Sequence, residues 1–372
     1  MLIDIIAGAR PNFMKIAPII RALEARKKEG GPLRYRLVHT GQHYDPRMSG
    51  EFFTQLGIPA PDVNLEVGSG TQAEQTAGIM TRYESLLLEA PAGLCLVVGD
   101  VTSTMACAIT AKKLCIPVAH VEAGIRSGDM TMPEEINRIV TDSITDWFFT
   151  TSEMANANLR YAGIDETRIF FVGNTMIDTL LAHIDRLEAP EFFETLDLEP
   201  GRYFVTTLHR PANVDRGGAF SRMLSAIGEG ARGMPIVFPV HPRTARTLRE
   251  IGEMPVNLHL VEPQPYLQFN WLVKHAFAVI TDSGGITEET TVMGIPCLTL
   301  RDSTERPETV SMGTNVLIGT DPDALPPALD DLFAGRWKKG GIPPMWDGQT
   351  APRIVAALER VFEPANILRV PV

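Results

Sequence analysis

The fold of this chain is set by one stretch of its sequence, Leu94-Cys95-Leu96-Val97-Val98-Gly99-Asp100. Its first five residues are apolar and partly β-branched, which is typical of a buried parallel strand, and the glycine after them ends the run. A carboxylate therefore comes directly after the strand. Residues 102–114 then carry helix-start hydroxyls and spaced alanines, and residues 116–120 form a second apolar run. This order of strand, helix and strand predicts a parallel α/β sheet.

Acidic side chains follow three successive elements at this edge of the predicted sheet. Asp100 follows the first strand, Glu122 follows the second, and Glu134 and Glu135 stand in the first turn of a helix that starts at Pro133. Ligands of open α/β sheets bind at the carboxyl ends of the strands, so Asp100, Glu122 and one of the adjacent glutamates are expected to face one pocket. A single acid in such a place is more often a helix cap or a solvated group, and only the succession of three favours a site.

The alternation of strands and helices runs along the whole chain. Two Rossmann-like domains of doubly wound parallel sheet are expected, at residues 1–172 and 173–350, with the active site in the cleft between them. Segment 188–201, rich in glutamate and proline, is interpreted as a linker, and a helix within residues 351–372 is expected to join the first domain. The predicted strands cover residues 2–7, 34–39, 94–98, 116–120, 147–151, 169–172, 203–208, 236–240, 258–261, 278–281, 296–300 and 315–318.

Cationic turns follow several of these strands. Arg10 lies in the turn after the first strand and Lys15 follows about one helical turn later, a combination that suits a phosphate group. Histidines at positions 209 and 241 each follow a strand and stand near an arginine. One histidine alone is usually structural, but two at equivalent positions indicate a site. Surface charge remains the alternative reading for Lys15.

A glycine-rich turn in the second half is the strongest sign of a nucleotide. Ser283, Gly284 and Gly285 lead a strand into a helix, so backbone N–H groups can approach a diphosphate closely. Glu288 and Glu289 follow in that helix, where a carboxylate either grips a ribose diol or only stabilises the helix start. Arg306 follows a further strand. These features predict that the second domain holds a nucleotide diphosphate, with a nucleotide sugar as the natural candidate.

The composition excludes several classes of protein. The chain has 372 residues and a formal net charge of −11, which argues against a general nucleic-acid or anionic-membrane surface. No apolar run reaches the roughly 18 residues of a membrane span, so a cytoplasmic location is expected. The cysteines lack metal-type spacing and are expected to be reduced thiols of the core; they are Cys95, Cys107, Cys115 and Cys297.

Short motifs in order along nearly the whole chain resemble those of the non-hydrolysing UDP-N-acetylglucosamine 2-epimerases. The resemblance implies the GT-B architecture, no metal or redox cofactor, and a homodimer. It also implies reversible C2 epimerisation to UDP-N-acetylmannosamine, through anti elimination of UDP to a 2-acetamidoglucal, for cell-surface polysaccharide synthesis. The motifs are Gly8-Ala9-Arg10-Pro11, Thr40-Gly41-Gln42-His43, Val98-Gly99-Asp100, His120-Val121-Glu122-Ala123-Gly124-Ile125-Arg126, Pro133-Glu134-Glu135-Ile136-Asn137-Arg138, Gly173-Asn174-Thr175, His209-Arg210, Thr281-Asp282-Ser283-Gly284-Gly285 and Thr304-Glu305-Arg306-Pro307-Glu308.

The resemblance also assigns roles to individual residues. Glu122 and Glu134 are the first choices for the acid/base groups on the two faces of C2, with Asp100 and His209 tuning protonation or assisting the leaving oxygen. Four other functions remain open: an epimerase of a 2,3-diacetamido uronic acid nucleotide, a hydrolysing 2-epimerase, a GT-B glycosyltransferase, and a non-catalytic nucleotide-sugar sensor. The implied substrate contacts are Arg10, Lys15, Arg138, His241, Phe269, Ser283, Gly284, Gly285, Glu289 and Arg306.

Overall fold

The chain divides into two compact units, each built on one parallel sheet. The computed structural model describes residues 1–8, 10–41, 55–214, 217–240, 242–249, 251 and 254–363. The first unit comprises Met1–Ala182 and Pro344–Val372, and the second comprises His183–Pro343. The boundary between the units thus lies between Ala182 and His183, ten residues after the predicted domain boundary at residue 172.

The first unit has a seven-stranded sheet in the order β3-β2-β1-β4-β5-β6-β7, with every pair parallel. The order reverses between β1 and β4, which is where ligands of doubly wound sheets bind. The strands are β1 (Leu2–Ala7), β2 (Arg34–His39), β3 (Val63–Asn64), β4 (Leu94–Val98), β5 (Val118–Val121), β6 (Trp147–Thr150) and β7 (Ile169–Phe171). The helices are α1 (Arg10–Lys28), α2 (Gln72–Glu89), α3 (Thr102–Lys113), α4 (Pro133–Ile144), α5 (Glu153–Tyr161), α6 (Thr175–His183) and, from the C-terminal segment, α15 (Thr350–Val361).

The second unit repeats the plan with a six-stranded parallel sheet in the order β10-β9-β8-β11-β12-β13. Hydrophobic side chains of the strands and helices pack into a core on each face of this sheet. The strands are β8 (Phe204–Thr207), β9 (Ile236–Pro239), β10 (Leu258–Val261), β11 (Ala278–Thr281), β12 (Cys297–Thr299) and β13 (Asn315–Leu317). The helices are α7 (Phe192–Thr195), α8 (Pro211–Val214), α9 (Gly217–Gly230), α10 (Pro242–Leu248), α11 (Tyr266–Lys274), α12 (Gly284–Met293), α13 (Pro307–Ser311) and α14 (Leu325–Phe333).

Further details differ from the sequence prediction. The edge strand β3 is additional, because its two residues carry too little apolar pattern to be recognised. The expected linker 188–201 instead forms α7 and buries Phe193 in the core of the second unit, so the interpretation as a linker is wrong. Cys115 is exposed, which contradicts its assignment as a core thiol, whereas Cys95, Cys107 and Cys297 are buried and free.

The C-terminal helix α15 is anchored in the first unit. Arg26 of α1 pairs with Glu359 of α15 at 2.8 Å. The buried Asp178 accepts hydrogen bonds from the backbone N–H groups of Thr350 and Ala351, which satisfies the start of α15. Trp346 donates its indole N–H to the carbonyl of Thr151 at 3.0 Å. These contacts explain why a segment so distant in sequence belongs to the first unit.

Candidate functional site

Two carboxylates of the first unit lie at neighbouring strand ends. Val98 pairs with Val121 across β4 and β5, so Gly99-Asp100 and Glu122 leave the sheet side by side. Gly99 has φ +71° and Glu122 has φ +68°. The left-handed region is costly for a glutamate, so the surrounding contacts must hold the Glu122 backbone in place. Such strain at a strand end often marks a functional residue.

Glu122 forms a buried ion pair with Lys15. The Lys15 ammonium lies 2.7 Å from Oε2 of Glu122, and the side-chain exposures of lysine and glutamate are 13% and 3%. A Cβ atom added at Gly99 would lie 3.1 Å from the Lys15 ammonium, so a side chain there would crowd the pair. An ammonium in direct contact stabilises the ionised carboxylate. The structure thus places Lys15 against a proposed catalytic acid.

Asp100 is tied to helix α4. Arg138 donates to the Asp100 carboxylate at 2.5 Å, and Asn137 donates to the Asp100 carbonyl at 2.8 Å. Arg138 also pairs with Glu135 at 2.8 Å and is almost fully buried. The guanidinium therefore bridges Asp100, which follows a strand end, and Glu135, which lies in the helix. Arg138, predicted as a substrate contact, holds the protein's own carboxylates in this structure.

The two adjacent glutamates of α4 have different environments. Glu135 is buried and accepts hydrogen bonds from the backbone N–H groups of Ser127 and Gly128. Burial alone would raise the pKa of Glu135, but these hydrogen bonds and Arg138 lower it below its ordinary value. Glu134 is exposed. Glu135 therefore fixes the loop before α4, which leaves Glu134 as the more accessible acid.

A buried histidine of β5, His120, lies close to the strand end that precedes Asp100. Nδ1 of His120 lies 2.7 Å from Asp142, and Nε2 lies 2.8 Å from the carbonyl oxygen of Gly99. Asp142 also accepts from the backbone N–H of Gly124 at 3.0 Å and pairs with Arg126 at 2.7 Å. Burial alone would raise the pKa of Asp142, but its charged partners lower it below its ordinary value.

The second unit presents a helix start and an anchored histidine at the ends of β8 and β11. Thr207 pairs with Thr281 across these strands, so His209 and Asp282 follow neighbouring strand ends. Nδ1 of His209 lies 2.9 Å from the fully buried Asp282, while the histidine side chain is 48% exposed. Asp282 also accepts from the backbone N–H of Arg210 at 2.9 Å. The opposite ring nitrogen of His209 is thereby oriented away from Asp282, as in a carboxylate-supported acid/base group.

Helix α12 begins directly after Ser283 without an acidic residue in its first turn. The first N–H groups of a helix have no partner within the helix, so this start can receive an anion. A Cβ added at Gly285 would meet no atom within 4 Å, whereas one at Gly284 would lie 2.7 Å from a carboxylate oxygen of Glu305. Burial alone would raise the pKa of Glu305, but Arg301 lowers it to about 2.

Arg306 is a buried cation in the same unit. Its Nε lies 2.8 Å from Glu288, and both side chains are below a tenth exposed. Glu288 stands in α12, one residue before Glu289. Burial raises the pKa of Glu289 to about 7, although Tyr266 and Asn270 oppose the shift. Phe269, also in α11, is partly buried against the core of the second unit.

A family model described as UDP-N-acetylglucosamine 2-epimerase matches residues 24–359 of the chain. The chain belongs to this family. The UDP-N-acetylglucosamine 2-epimerase of Methanocaldococcus jannaschii is 40% identical over 371 residues, which cover 96% of this chain and 99% of that protein. A crystal structure of the M. jannaschii enzyme with UDP-N-acetylglucosamine and UDP has a TM-score of 0.87 at 39% identity, covering 97% of this chain and 100% of that chain.

A second named activity occurs among similar proteins. The UDP-2,3-diacetamido-2,3-dideoxy-D-glucuronate 2-epimerase of Pseudomonas aeruginosa is 38% identical over 328 residues, which cover 87% of this chain and 90% of that protein. Membership of the 2-epimerase family makes the chain an isomerase with GT-B-like sheets. The prediction of fold class and family is therefore confirmed.

The structure describes most, not all, of the side chains that the resemblance to the 2-epimerases assigns. Asp100, Glu122 and Lys15 gather at one edge of the first sheet. The side chain of Arg10 and the whole of His241 lie outside the described residues. Within the described residues, no cluster of histidine, cysteine, aspartate or glutamate is placed to bind a metal ion, and no helix is long and apolar enough to cross a membrane.

The sequence does not show the pairing of three buried acids near these candidate residues. Asp142, Asp282 and Glu288 are buried acids, each paired with a histidine or an arginine of its own unit. Asp282 follows β11 directly, so its place in the strand-end pattern is a signal that could identify it. Asp142 lies in the last turn of α4, away from any strand end, so it carries no such signal.

Proposed function

We propose that this protein interconverts UDP-N-acetylglucosamine and UDP-N-acetylmannosamine by epimerisation at C2. The observation that carries the proposal is the pair of carboxylates, Asp100 and Glu122, that leave neighbouring strands beside the Lys15 ammonium. Its support from relatives is the 40% identity to a named UDP-N-acetylglucosamine 2-epimerase. A cytoplasmic location, a homodimer and a role in polysaccharide synthesis stay predictions from the resemblance.

The reaction needs a base on one face of C2 and an acid on the other. In the elimination step the C2–H bond breaks, a protein base takes the proton, and the C1–O bond breaks with its electron pair leaving on UDP. A C1=C2 double bond forms, giving the 2-acetamidoglucal. In the return step the diphosphate oxygen attacks C1 and an acid protonates C2 from the opposite face. We assign these acid/base roles to Glu122 and Glu134, because Glu135 is already committed to the loop and to Arg138.

The departing UDP needs positive charge and hydrogen-bond donors. The start of α12 at Gly284 and Gly285 supplies backbone N–H groups, and Arg306 supplies a buried guanidinium in the same unit. His209, oriented by Asp282, is a candidate proton donor to the leaving oxygen. The second unit is thus proposed to hold UDP, while the first unit carries out proton transfer at C2.

The decisive experiment is incubation with UDP-N-acetylglucosamine in deuterated water, followed by NMR. We expect deuterium at C2 of UDP-N-acetylmannosamine with little net loss of nucleotide sugar, because the proton taken from C2 exchanges with solvent. Free N-acetylmannosamine with stoichiometric UDP would instead indicate a hydrolysing enzyme. Absence of exchange would contradict epimerisation and favour a glycosyltransferase or a sensor.

A second substrate has one specific observation in its favour. The P. aeruginosa relative that acts on a 2,3-diacetamido glucuronate nucleotide is 38% identical to this chain. The same C2 chemistry would serve that substrate, since it changes groups at C3 and C6 only. The discriminating measurement is kcat/KM for both UDP-sugars, and a higher value for the diacetamido uronate would reassign the substrate but not the reaction.

Glu289 gives a pH-dependent prediction for UDP binding. The pKa of its buried carboxyl is about 7, so part of the free protein is protonated there near neutral pH. If the carboxylate accepts the ribose hydroxyls, UDP binding favours the ionised form and releases a proton. Calorimetry in buffers of different ionisation enthalpy should find about one more proton released by the wild type than by Glu289→Gln near pH ~6, and almost no difference near pH ~8.5.

The control variant Glu289→Gln should bind UDP more weakly, and any proton it releases near pH ~6 comes from the terminal phosphate of UDP. Stability provides an independent check on the burial itself. A raised pKa means that the Glu289 contribution to folding is fully present below the ordinary value of 4.5 and is lost as the pH rises through about 7. If melting temperatures follow that course but the wild type releases no more protons on binding than Glu289→Gln, Glu289 is buried as described and the ribose contact is wrong.

A further inference from the structure

The buried pair of His120 and Asp142 is not part of the proposed chemistry, yet it contacts the backbone of Gly99 and of Gly124, next to the proposed catalytic acids. His120 has no exposed side-chain surface, and Asp142 is almost fully buried. One nitrogen of the ring faces an Asp142 oxygen at 2.7 Å, and the other faces the carbonyl oxygen of Gly99 at 2.8 Å. Polar groups buried this deeply are costly unless every partner is in place.

The geometry determines where the hydrogens are. A carbonyl oxygen can only accept a hydrogen bond, so the His120 nitrogen facing Gly99 carries a hydrogen. The Gly124 N–H and Arg126 both face the second carboxylate oxygen of Asp142, and the guanidinium 2.7 Å away favours the ionised carboxylate, so the second ring nitrogen is expected to carry a hydrogen as well. With both nitrogens donating, His120 has the hydrogen-bonding pattern of an imidazolium, which the NMR experiment below tests. Neutral histidine would place a lone pair against one of the two oxygens.

The pair fixes the backbone beside each proposed catalytic acid. The carbonyl held by His120 belongs to Gly99, which directly precedes Asp100. The N–H held by Asp142 belongs to Gly124, which comes two residues after Glu122. Both glycines and Glu122 have positive φ, at +71°, +77° and +68° respectively. Glycine adopts this region without strain, but a glutamate does not, so the Glu122 backbone between the two glycines relaxes unless surrounding contacts hold it there.

We propose that His120 and Asp142 are positioning residues, which hold the ends of β4 and β5 so that Asp100 and Glu122 keep their catalytic geometry. The pair acts through the Gly99 carbonyl, the Gly124 N–H and Arg126 and does not contact substrate. This inference rests on the proposed function, since it assigns a role in the same reaction. Which ring nitrogens of His120 carry a hydrogen does not depend on that function and can be measured without substrate.

The first test is NMR of ring-labelled histidine in the unliganded protein. The wild type should show two slowly exchanging ring N–H signals for His120, identified by their loss in His120→Gln. Asp142→Asn should show one, because the amide can accept from Gly124 and Arg126 while its N–H group donates to the ring. A single ring N–H signal in the wild type would overturn the arrangement, whether or not the protein is an epimerase.

The second test is kinetic. Asp142→Ala should lower kcat by about 10- to 100-fold with KM within about threefold, because small displacements of catalytic groups cost turnover more than binding. Asp142→Asn should recover most of that loss, since it keeps the hydrogen bonds. Where Asp142→Ala does not fold, His120→Gln takes its place in the kinetic test, with a similar loss of kcat at nearly unchanged KM expected.

The matched control is Asp4→Ala in the same unit. Asp4 is a buried aspartate in β1 that pairs with Arg36 at 2.8 Å and accepts from Tyr83 at 3.1 Å. Its loss should lower the melting temperature as much as the loss of Asp142 while leaving kcat unchanged. Equal effects of the two variants on kcat, measured where both are folded, would show that Asp142 only stabilises the fold.

Discussion

Glu122→Gln is expected to lower kcat by about 10²- to 10⁴-fold, the usual contribution of a general acid or base, while UDP affinity stays within about threefold. Glutamine keeps the shape of the side chain and can still accept from the Lys15 ammonium, which lies 2.7 Å from the carboxylate in the wild type. It cannot take a proton from C2. The measurement is epimerisation followed by NMR, with UDP binding measured by calorimetry. Glu134→Gln should lose on the order of a hundredfold for the same reason.

Glu135→Gln is the matched control, because it changes the neighbouring residue of the same helix turn. Glu135 holds the N–H groups of Ser127 and Gly128 and pairs with Arg138, so its main loss should be stability, at about 1–3 kcal/mol for the unmade hydrogen bonds. If Glu122→Gln and Glu134→Gln lost only affinity for UDP and kept kcat, the assignment of acid/base roles to them would be wrong.

The fold is largely predictable because buried parallel strands need short runs of apolar residues on both faces. Leu94–Val98 and Ala278–Thr281 are such runs, and both form central strands. Segment 188–201 is misleading because its acidic residues suggest solvent exposure, while Phe193 and Leu198 insert into the core. The sequence shows which residues are apolar, but a few anchors within a polar segment are enough to fold it onto a sheet.

The site is less predictable, because its contacts join residues far apart in the chain. The rule that ligands bind at the carboxyl ends of parallel strands correctly brings Asp100 and Glu122 together at neighbouring strands. It does not show that Lys15, separated from Glu122 by 107 positions, pairs with that acid. Nor does it distinguish Glu134 from Glu135, since both occupy the first turn of α4 and only the loop before the helix decides which one is buried.

Arg306→Met is expected to weaken UDP binding by about thirtyfold or more, because truncating one partner of a buried charged contact costs roughly 2–5 kcal/mol. The same change should lower the free energy of unfolding by about 3–5 kcal/mol, since it removes the guanidinium from the buried Glu288. The two effects have different causes. Calorimetry with UDP and denaturant unfolding measure them separately, and Arg336→Met, which removes an exposed pair with Asp331, is the control that should change neither.

The double variant Arg306→Met/Glu288→Met separates the two roles of Arg306. Replacing both members of a buried ion pair by apolar side chains is often neutral for stability, so the free energy of unfolding should return close to that of the wild type. UDP affinity should stay low, because the cation proposed to face the diphosphate is still missing. If the double variant instead regained UDP affinity together with stability, Arg306 would serve only to neutralise Glu288, and the diphosphate would have to be held by the start of α12 and by other cations.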